Sequence, residues 1–328
     1  MRPFQVSIKP ETYTVVAEDY YDHALYRQPL GTRAWAFQER LLPPRTLSIG
    51  AGELFWDCFH CENASESFPG GLNDTKLPDL QTRFPLETLR TEEFKVAWYT
   101  LVEEYTTREL TYPEQDKLFA LSAVSTWFER RMNDKFIAGH LRSTFPVCLA
   151  WRRNDEAWSQ KSQKRKTGPE TYWLETISQQ RLRVPSWSWA SVNVPLLILQ
   201  MLRVDRTLKF IILTCDILKV YDARSVKDIL YPALIIRTYS FKALWDSAQE
   251  SLVTVRGNKR IPGIVTDEED RDLTGDTAYY LIQPVTHHYL ILERVEMNGM
   301  ILHRRVGWAH TTRLKSSIHG EKELIVLI

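Results

Sequence analysis

From residue 184 onward the apolar side chains arrive in runs of strand length, and this constrains the fold more than any other feature of the sequence. Residues 208–214, 217–221, 234–239, 279–282, 289–295 and 301–308 are rich in β-branched and aromatic side chains, and several alternate between apolar and polar. Such runs suit a pleated, half-buried surface and lack the 3.6-residue period of a helix, so a mainly antiparallel β-domain is predicted over 184–328. The acidic stretch from Asp267 to Asp272 reads as a loop between strands. The most apolar stretch, 192–202, is about half the ~20 residues of a membrane helix and is followed by Arg203, Asp205, Arg206 and Lys209, so no span is predicted.

The middle of the chain changes period. Phe94, Trp98, Leu101, Val102 and Tyr105 fall on one helical stripe behind Thr91, Glu92 and Glu93, which predicts a helix over 92–108. Thr111 and Glu114 have capping-box spacing, and Leu118, Leu121, Val124, Ser125, Phe128 and Met132 predict a second helix over 113–132. Phe136, Ile137, His140 and Leu141 suggest a third short helix, with a buried segment over 147–151, so 91–160 reads as a helical region. Residues 161–183 form a polar, basic linker or insertion, with Lys161, Lys164, Arg165 and Lys166 in one run and a short helix over 172–178. That run lacks interleaved aromatics and reads as a solvated loop. With 42 basic against 41 acidic residues, no overall field favours nucleic acid.

Residues 1–90 open with short strands at 5–8 and 13–16. Thr32 is positioned to cap a helix carrying Trp35, Gln38 and Leu42, with Ala34, Phe37 and Leu41 beside them, and Pro43-Pro44 must end it. The runs 46–49 and 54–58, separated by Gly50-Ala51-Gly52, predict a β-hairpin, and 62–90 carries only loop signals. The N-terminus lacks the apolar core of a signal peptide, and four scattered cysteines do not make a disulfide framework, so an intracellular, cytoplasmic protein is expected.

Chemical motifs are sparse. Cys58-Phe-His-Cys61 has zinc-like spacing, with His60 or a distant histidine as a further donor, yet no second ligand pair exists; no metal site is assigned, and buried or half-buried thiols at the end of a strand are the alternative. His287-His288 read as turn residues. Nucleophile-elbow, P-loop and dinucleotide signatures are absent, and Ser186, Ser188 and Ser191 alternate with Trp187 and Trp189 as buried rings with hydroxyls on the backbone. No catalytic residue is assigned and no cofactor is expected. Glu39, one turn from Trp35, is the one candidate acid or base if its pocket is dry, and an ion pair to Arg33, Arg40 or Arg45 is the competing reading.

The spaced residues Pro29-Leu30, Arg33, Trp35, Gln38-Glu39-Arg40-Leu41-Leu42 and Pro44-Arg45-Thr46-Leu47 resemble the last signature block of the heterokaryon incompatibility (HET) domain of filamentous fungi. The likeness continues through Trp56 and Cys58, Phe68-Pro69, Tyr105 and Arg108, Asp116-Lys117-Leu118, Phe136-Ile137-Ala138-Gly139 and Pro185-Ser186-Trp187-Ser188-Trp189-Ala190-Ser191. It implies an α+β chain: the end of an α/β HET-type domain, made of a helix plus β-hairpin, then a helical layer, then the β-domain. The family's upstream Ser-Tyr-x-Trp-Gly-like and Trp-Ile-Asp-x-x-Cys-like strands are not in this sequence. Residues 1–90 therefore read as a C-terminal remnant, from a C-terminal portion or a truncated reading of the gene. The resemblance implies fungal self/non-self recognition and associated cell death, with protein partners and without catalysis of its own. A nucleotide- or NAD-cleaving enzyme with Glu39 as acid/base, and a regulatory interaction module, are the alternatives. Because a lone hairpin is marginal, the missing strands imply an exposed apolar surface beside it, or replacement strands from residues 1–26.

Overall fold

The computed structural model describes residues 4–17, 19–58, 61–71, 91–159, 184–198, 216–221, 233–268, 272–297, 299–312, 314 and 322–328. The expected strand at 208–214, the Lys161–Lys166 run, the short helix at 172–178 and His60 lie outside them. The fold is α+β with mostly antiparallel sheets, and the chain divides into two compact units, residues 1–128 and 129–328. Among the described residues no helix is long and apolar enough to cross a membrane.

In the first unit β1 (Phe4–Ile8) and β2 (Glu11–Val15) pair as an antiparallel hairpin, a sheet of their own. They do not extend the sheet that follows, so among the described residues β1 and β2 supply no replacement strands to it. A π-helical turn at Asp22–Tyr26 buries Ala24 and Leu25 beside Tyr20, Tyr21 and Phe55. Helix α1 (Trp35–Leu41) stops before Pro43, as the proline pair requires. Its cap is Ala34 without a side-chain bond, and not Thr32. The backbone there is committed elsewhere: Glu109 N–H donates to the Thr32 carbonyl at 2.8 Å and Ala34 N–H to the Glu109 carbonyl at 3.0 Å. The Thr32 hydroxyl turns back to the Pro29 carbonyl, 3.1 Å away.

Strands β3 (Arg45–Ile49) and β4 (Leu54–Cys58) form the expected hairpin. A third strand, β5 (Cys61–Ser65), follows where only loop was expected, through a tight reversal that sets Cys58 opposite Cys61. Period two sorts the faces. Phe55 points inward and is fully buried, whereas Leu47, Ile49, Leu54 and Trp56 share the other face and remain 61%, 84%, 39% and 39% exposed.

Helix α2 (Thr91–Thr107) buries Phe94, Trp98, Leu101, Val102 and Tyr105, the predicted stripe. The second predicted helix is two: α3 (Pro113–Asp116), with Tyr112 as a cap that makes no side-chain bond, and α4 (Ser122–Met132). Between them the Lys117 carbonyl, which a continuous helix offers to Leu121, accepts the Tyr105 hydroxyl at 2.6 Å. Trp98 meets Phe128 edge-on at 5.2 Å.

The second unit begins within α4. Strands β6 (Phe136–Ile137) and β7 (His140–Leu141) form a small hairpin where a helix was expected. Ala138 and Gly139, at φ 46° and 93°, make the two-residue turn. Short 3₁₀ turns at Arg142–Thr144 and Val147–Ala150 lead to β8 (Trp151–Arg153), paired with β9 (Leu196–Ile198). Among the described residues the predicted β-domain forms one ten-stranded sheet. It comprises β10 (Asp216–Tyr221), β11 (Ala233–Thr238), β12 (Ser240–Asp246), β13 (Ser251–Thr254), β14 (Arg260–Ile261), β15 (Ile264–Thr266), β16 (Ala278–Val285), β17 (His288–Met297), β18 (Met300–His310) and β19 (Glu323–Leu327). The spatial order is β10-β11-β19-β18-β17-β16-β12-β13-β14, with β15 also on β18; only the β18–β19 contact is parallel. Phe241, Leu281, Tyr289, Ile291 and Val306 fill its core at alternate positions.

Candidate functional site

The signature-like residues gather into two assemblies, one in each unit. In the first, the Arg108 guanidinium donates to the Gly31 carbonyl, pairs with Glu104 and lies 4.8 Å from the centre of the Phe37 ring. Trp35 Nε1 donates to Asp116 at 3.4 Å, across 81 residues of sequence, and its ring meets Phe119. Gly31 is required by space: an added Cβ would stand 2.2 Å from the Tyr26 carbonyl oxygen. Arg40 lies over the Tyr26 ring, 3.9 Å from its centre, and burial pushes the Tyr26 hydroxyl up to about 12.

In the second unit, two motifs 50 residues apart interlock. The Ser188 hydroxyl donates to the Ala138 carbonyl at 2.6 Å, and Trp189 Nε1 donates to the Gly139 carbonyl. The β6–β7 turn is thus held through both of its carbonyls, and a Cβ on Gly139 would stand 2.8 Å from Trp189 Nε1. Trp151 Nε1 donates to the Trp187 carbonyl at 3.0 Å, and the His140 ring stacks on Trp187. Burial, with Arg305 nearby, lowers His140 to about 3, so it is neutral. The Ser186 hydroxyl accepts from Arg305 N–H at 2.9 Å and donates to the Ile328 carbonyl, and the Ser191 hydroxyl donates to the Ser188 carbonyl.

Beneath this segment lies a buried ion pair. Arg305 Nε and Nη2 donate to the two Asp267 oxygens at 2.9 and 3.0 Å, Nη1 donates to the Leu149 carbonyl at 2.7 Å and Nη2 to that of Trp151 at 2.5 Å. The guanidinium carbon sits 3.3 Å from the centre of the Trp151 ring. Asp267 stands in the expected loop after β15, yet it is buried, because a buried guanidinium needs its counter-charge.

These assemblies do structural work. The three serine hydroxyls bond to backbone, as expected from their alternation with tryptophan, and among the described residues none faces a histidine base. Glu39 is exposed on α1, outside any dry pocket, and makes no ion pair with Arg33, Arg40 or Arg45 among the described residues, since Arg40 is turned to Tyr26. Arg33, Arg45 and Trp56 are also exposed, whereas Pro185, Trp187 and Trp189 are buried and Gln38 is half-buried. Cys58 is half-buried on β4 with its backbone opposite Cys61, and among the described residues no group of three metal-ligating side chains has metal-binding geometry. His287 takes a left-handed turn conformation and His288 opens β17. No family model, no curated protein and no solved structure matches the chain.

Proposed function

We propose that this chain is a protein-binding component of a fungal self/non-self recognition system of the heterokaryon incompatibility type, acting without catalysis of its own. The observation that carries the proposal is the apolar outer face of the β3–β4 hairpin. Leu47 is paired with Trp56 and Ile49 with Leu54, and all four are exposed on a sheet whose opposite face is already packed on Tyr20 and Tyr21 through Phe55. Contiguous exposed apolar side chains on a small sheet mark an interaction surface. The occupant is the α/β core of a HET-type domain, with its Ser-Tyr-x-Trp-Gly-like and Trp-Ile-Asp-x-x-Cys-like strands, because these are what the family sets against this hairpin.

The test mixes the purified chain with such a core, taken from a family member and made as a separate polypeptide, and follows complex formation by calorimetry and sizing chromatography. The expected result is a one-to-one complex that Ile49→Lys together with Trp56→Lys abolishes. A complex indifferent to that pair of substitutions, or none at the highest soluble concentration, would overturn the proposal.

A further inference from the structure

One end of the β16–β18 sheet gathers basic groups, with no acid interacting with them among the described residues. His288, the first residue of β17, lies directly across from His310 on β18, with ring centres 5.1 Å apart. His287, in the turn before it, lies 6.3 Å from the same His310 ring. Trp308, two residues back along β18, is 5.6 Å from His288 and stacked with His310. Arg152 of β8 completes the group, its guanidinium carbon 5.2 Å from the centre of the Trp308 ring.

Two features of this cluster are unresolved by the fold itself. The first is hydrogen bonding: His288 and Trp308 are each only 8% exposed, yet both ring nitrogens of His288, Nδ1 of His287 and Nε1 of Trp308 are buried without a partner. Buried polar groups in native proteins are normally satisfied, so four unpartnered ring nitrogens at one place call for an explanation, of which a bound ion is one. The second is charge. Arg152 is half-buried, has no ion pair among the described residues, and makes only a long contact of 3.5 Å to the Arg153 carbonyl. The charged groups acting on His288 are His310, His287 and Arg152, and those acting on His310 are His287 and Arg152. Strand β15, on the far side of β18, brings Ile264, Val265 and Thr266 and no charge, while Arg153 is already paired with Asp155.

We propose that His287, His288, His310, Trp308 and Arg152 form a binding site for an oxyanion of the phosphate class, inorganic phosphate or a phosphate monoester. A metal cation is disfavoured by the fixed charge of Arg152 and by the absence of metal-binding geometry among the described residues. A tetrahedral oxyanion supplies what the cluster lacks: several acceptor oxygens for imidazole, indole and guanidinium N–H groups, and negative charge. In the free site, burial and the neighbouring basic groups hold His288 down to about 4. A bound anion reverses the charge effect, so the imidazoles take up protons on binding, and an oxyanion whose own charge is fixed, such as sulfate, binds more tightly as pH falls.

The test uses the full chain and imidazole and indole N–H nuclear magnetic resonance. Sodium phosphate and phenyl phosphate are titrated against sodium chloride of matched ionic strength, and sodium sulfate, whose charge does not change, carries the comparison of affinity at pH 6 and pH 7.5; saturation by either phosphate supports the site, and their relative affinities say which source it prefers. The expected result is saturable shifts at Trp308 Nε1–H and the three imidazoles, with sulfate tighter at the lower pH. Arg152→Gln and His310→Gln, at half-buried and exposed positions, weaken binding by about tenfold or more while leaving the far-ultraviolet spectrum unchanged. Shifts reproduced by chloride, the same affinity in both variants as in the parent, or sulfate affinity that does not rise on acidification would overturn the assignment.

Discussion

His140 and Arg305 show how much a single buried polar residue decides in this protein. His140 is packed against Trp187 and Phe145 and is neutral, with its basicity lowered from 6.5 to about 3 by burial first and Arg305 second. Unfolding returns it to the ordinary range. Below about pH 6.5 the unfolded chain takes up a proton that the folded chain refuses, so stability falls with pH through that window and the loss levels off near pH 3. The slope approaches about 1.4 kcal/mol per pH unit. His140→Phe is expected to reduce it, leaving the part that His288 contributes, which urea denaturation at pH 7, 6 and 5 will show. Arg305→Met removes the partner of a buried carboxylate and leaves the Leu149 and Trp151 carbonyls without their donor. It is expected to destabilise by about 3–5 kcal/mol in the same experiment. Neither role is legible in sequence. Asp267 stands in an acidic run that looks like surface, Arg305 in a strand beside another arginine, and only the fold brings them together across 38 residues.

At the level of elements, legibility follows the range of the interactions that fix each one. Helix α1 ends where two prolines force it to, and the β3–β4 hairpin follows alternation around glycines, so both are readable locally. The β6–β7 hairpin is not. Phe136, Ile137, His140 and Leu141 have helical spacing, but Ser188 and Trp189 hold the Ala138 and Gly139 carbonyls in a turn that a helix does not allow. Gly139→Ala is accordingly expected to destabilise the protein by about 1–3 kcal/mol, through the positive φ and the 2.8 Å approach to Trp189, read as a lowered thermal midpoint. Ile49→Lys, on the 84% exposed position of β3, is expected to change stability by no more than about 0.5 kcal/mol. It should also reduce binding of a hydrophobic dye, because the residue is exposed on the outer face of its sheet.

For the whole molecule, the fold class is written plainly in the strand-length runs after residue 184, since period two and β-branching depend on neighbours alone. The candidate anion site is half visible: His287-His288 can be read as a turn, but His310, Trp308 and Arg152 reach it through strand register and β8, which no local pattern encodes. Arg305 is bonded to Leu149, to Trp151 of β8 and to Asp267, so its loss is felt first around β8 and β18. Hydrogen exchange in Arg305→Met is expected to quicken in β8 and β16–β18, while the Phe94, Trp98 and Tyr105 stripe of α2 keeps its protection. The position of β19 carries a consequence in time. It is the latest in sequence of this sheet's described strands, yet it sits inside the sheet, bonded to β11 along five residue pairs and touching β18 at His303 and Leu327. Strands synthesised earlier must therefore wait with open edges on β11 and β18 until Glu323–Leu327 slots between them. Assembly of this sheet is late and non-local, which makes it slow, and the waiting edges are where a stalled or clipped chain would begin to aggregate.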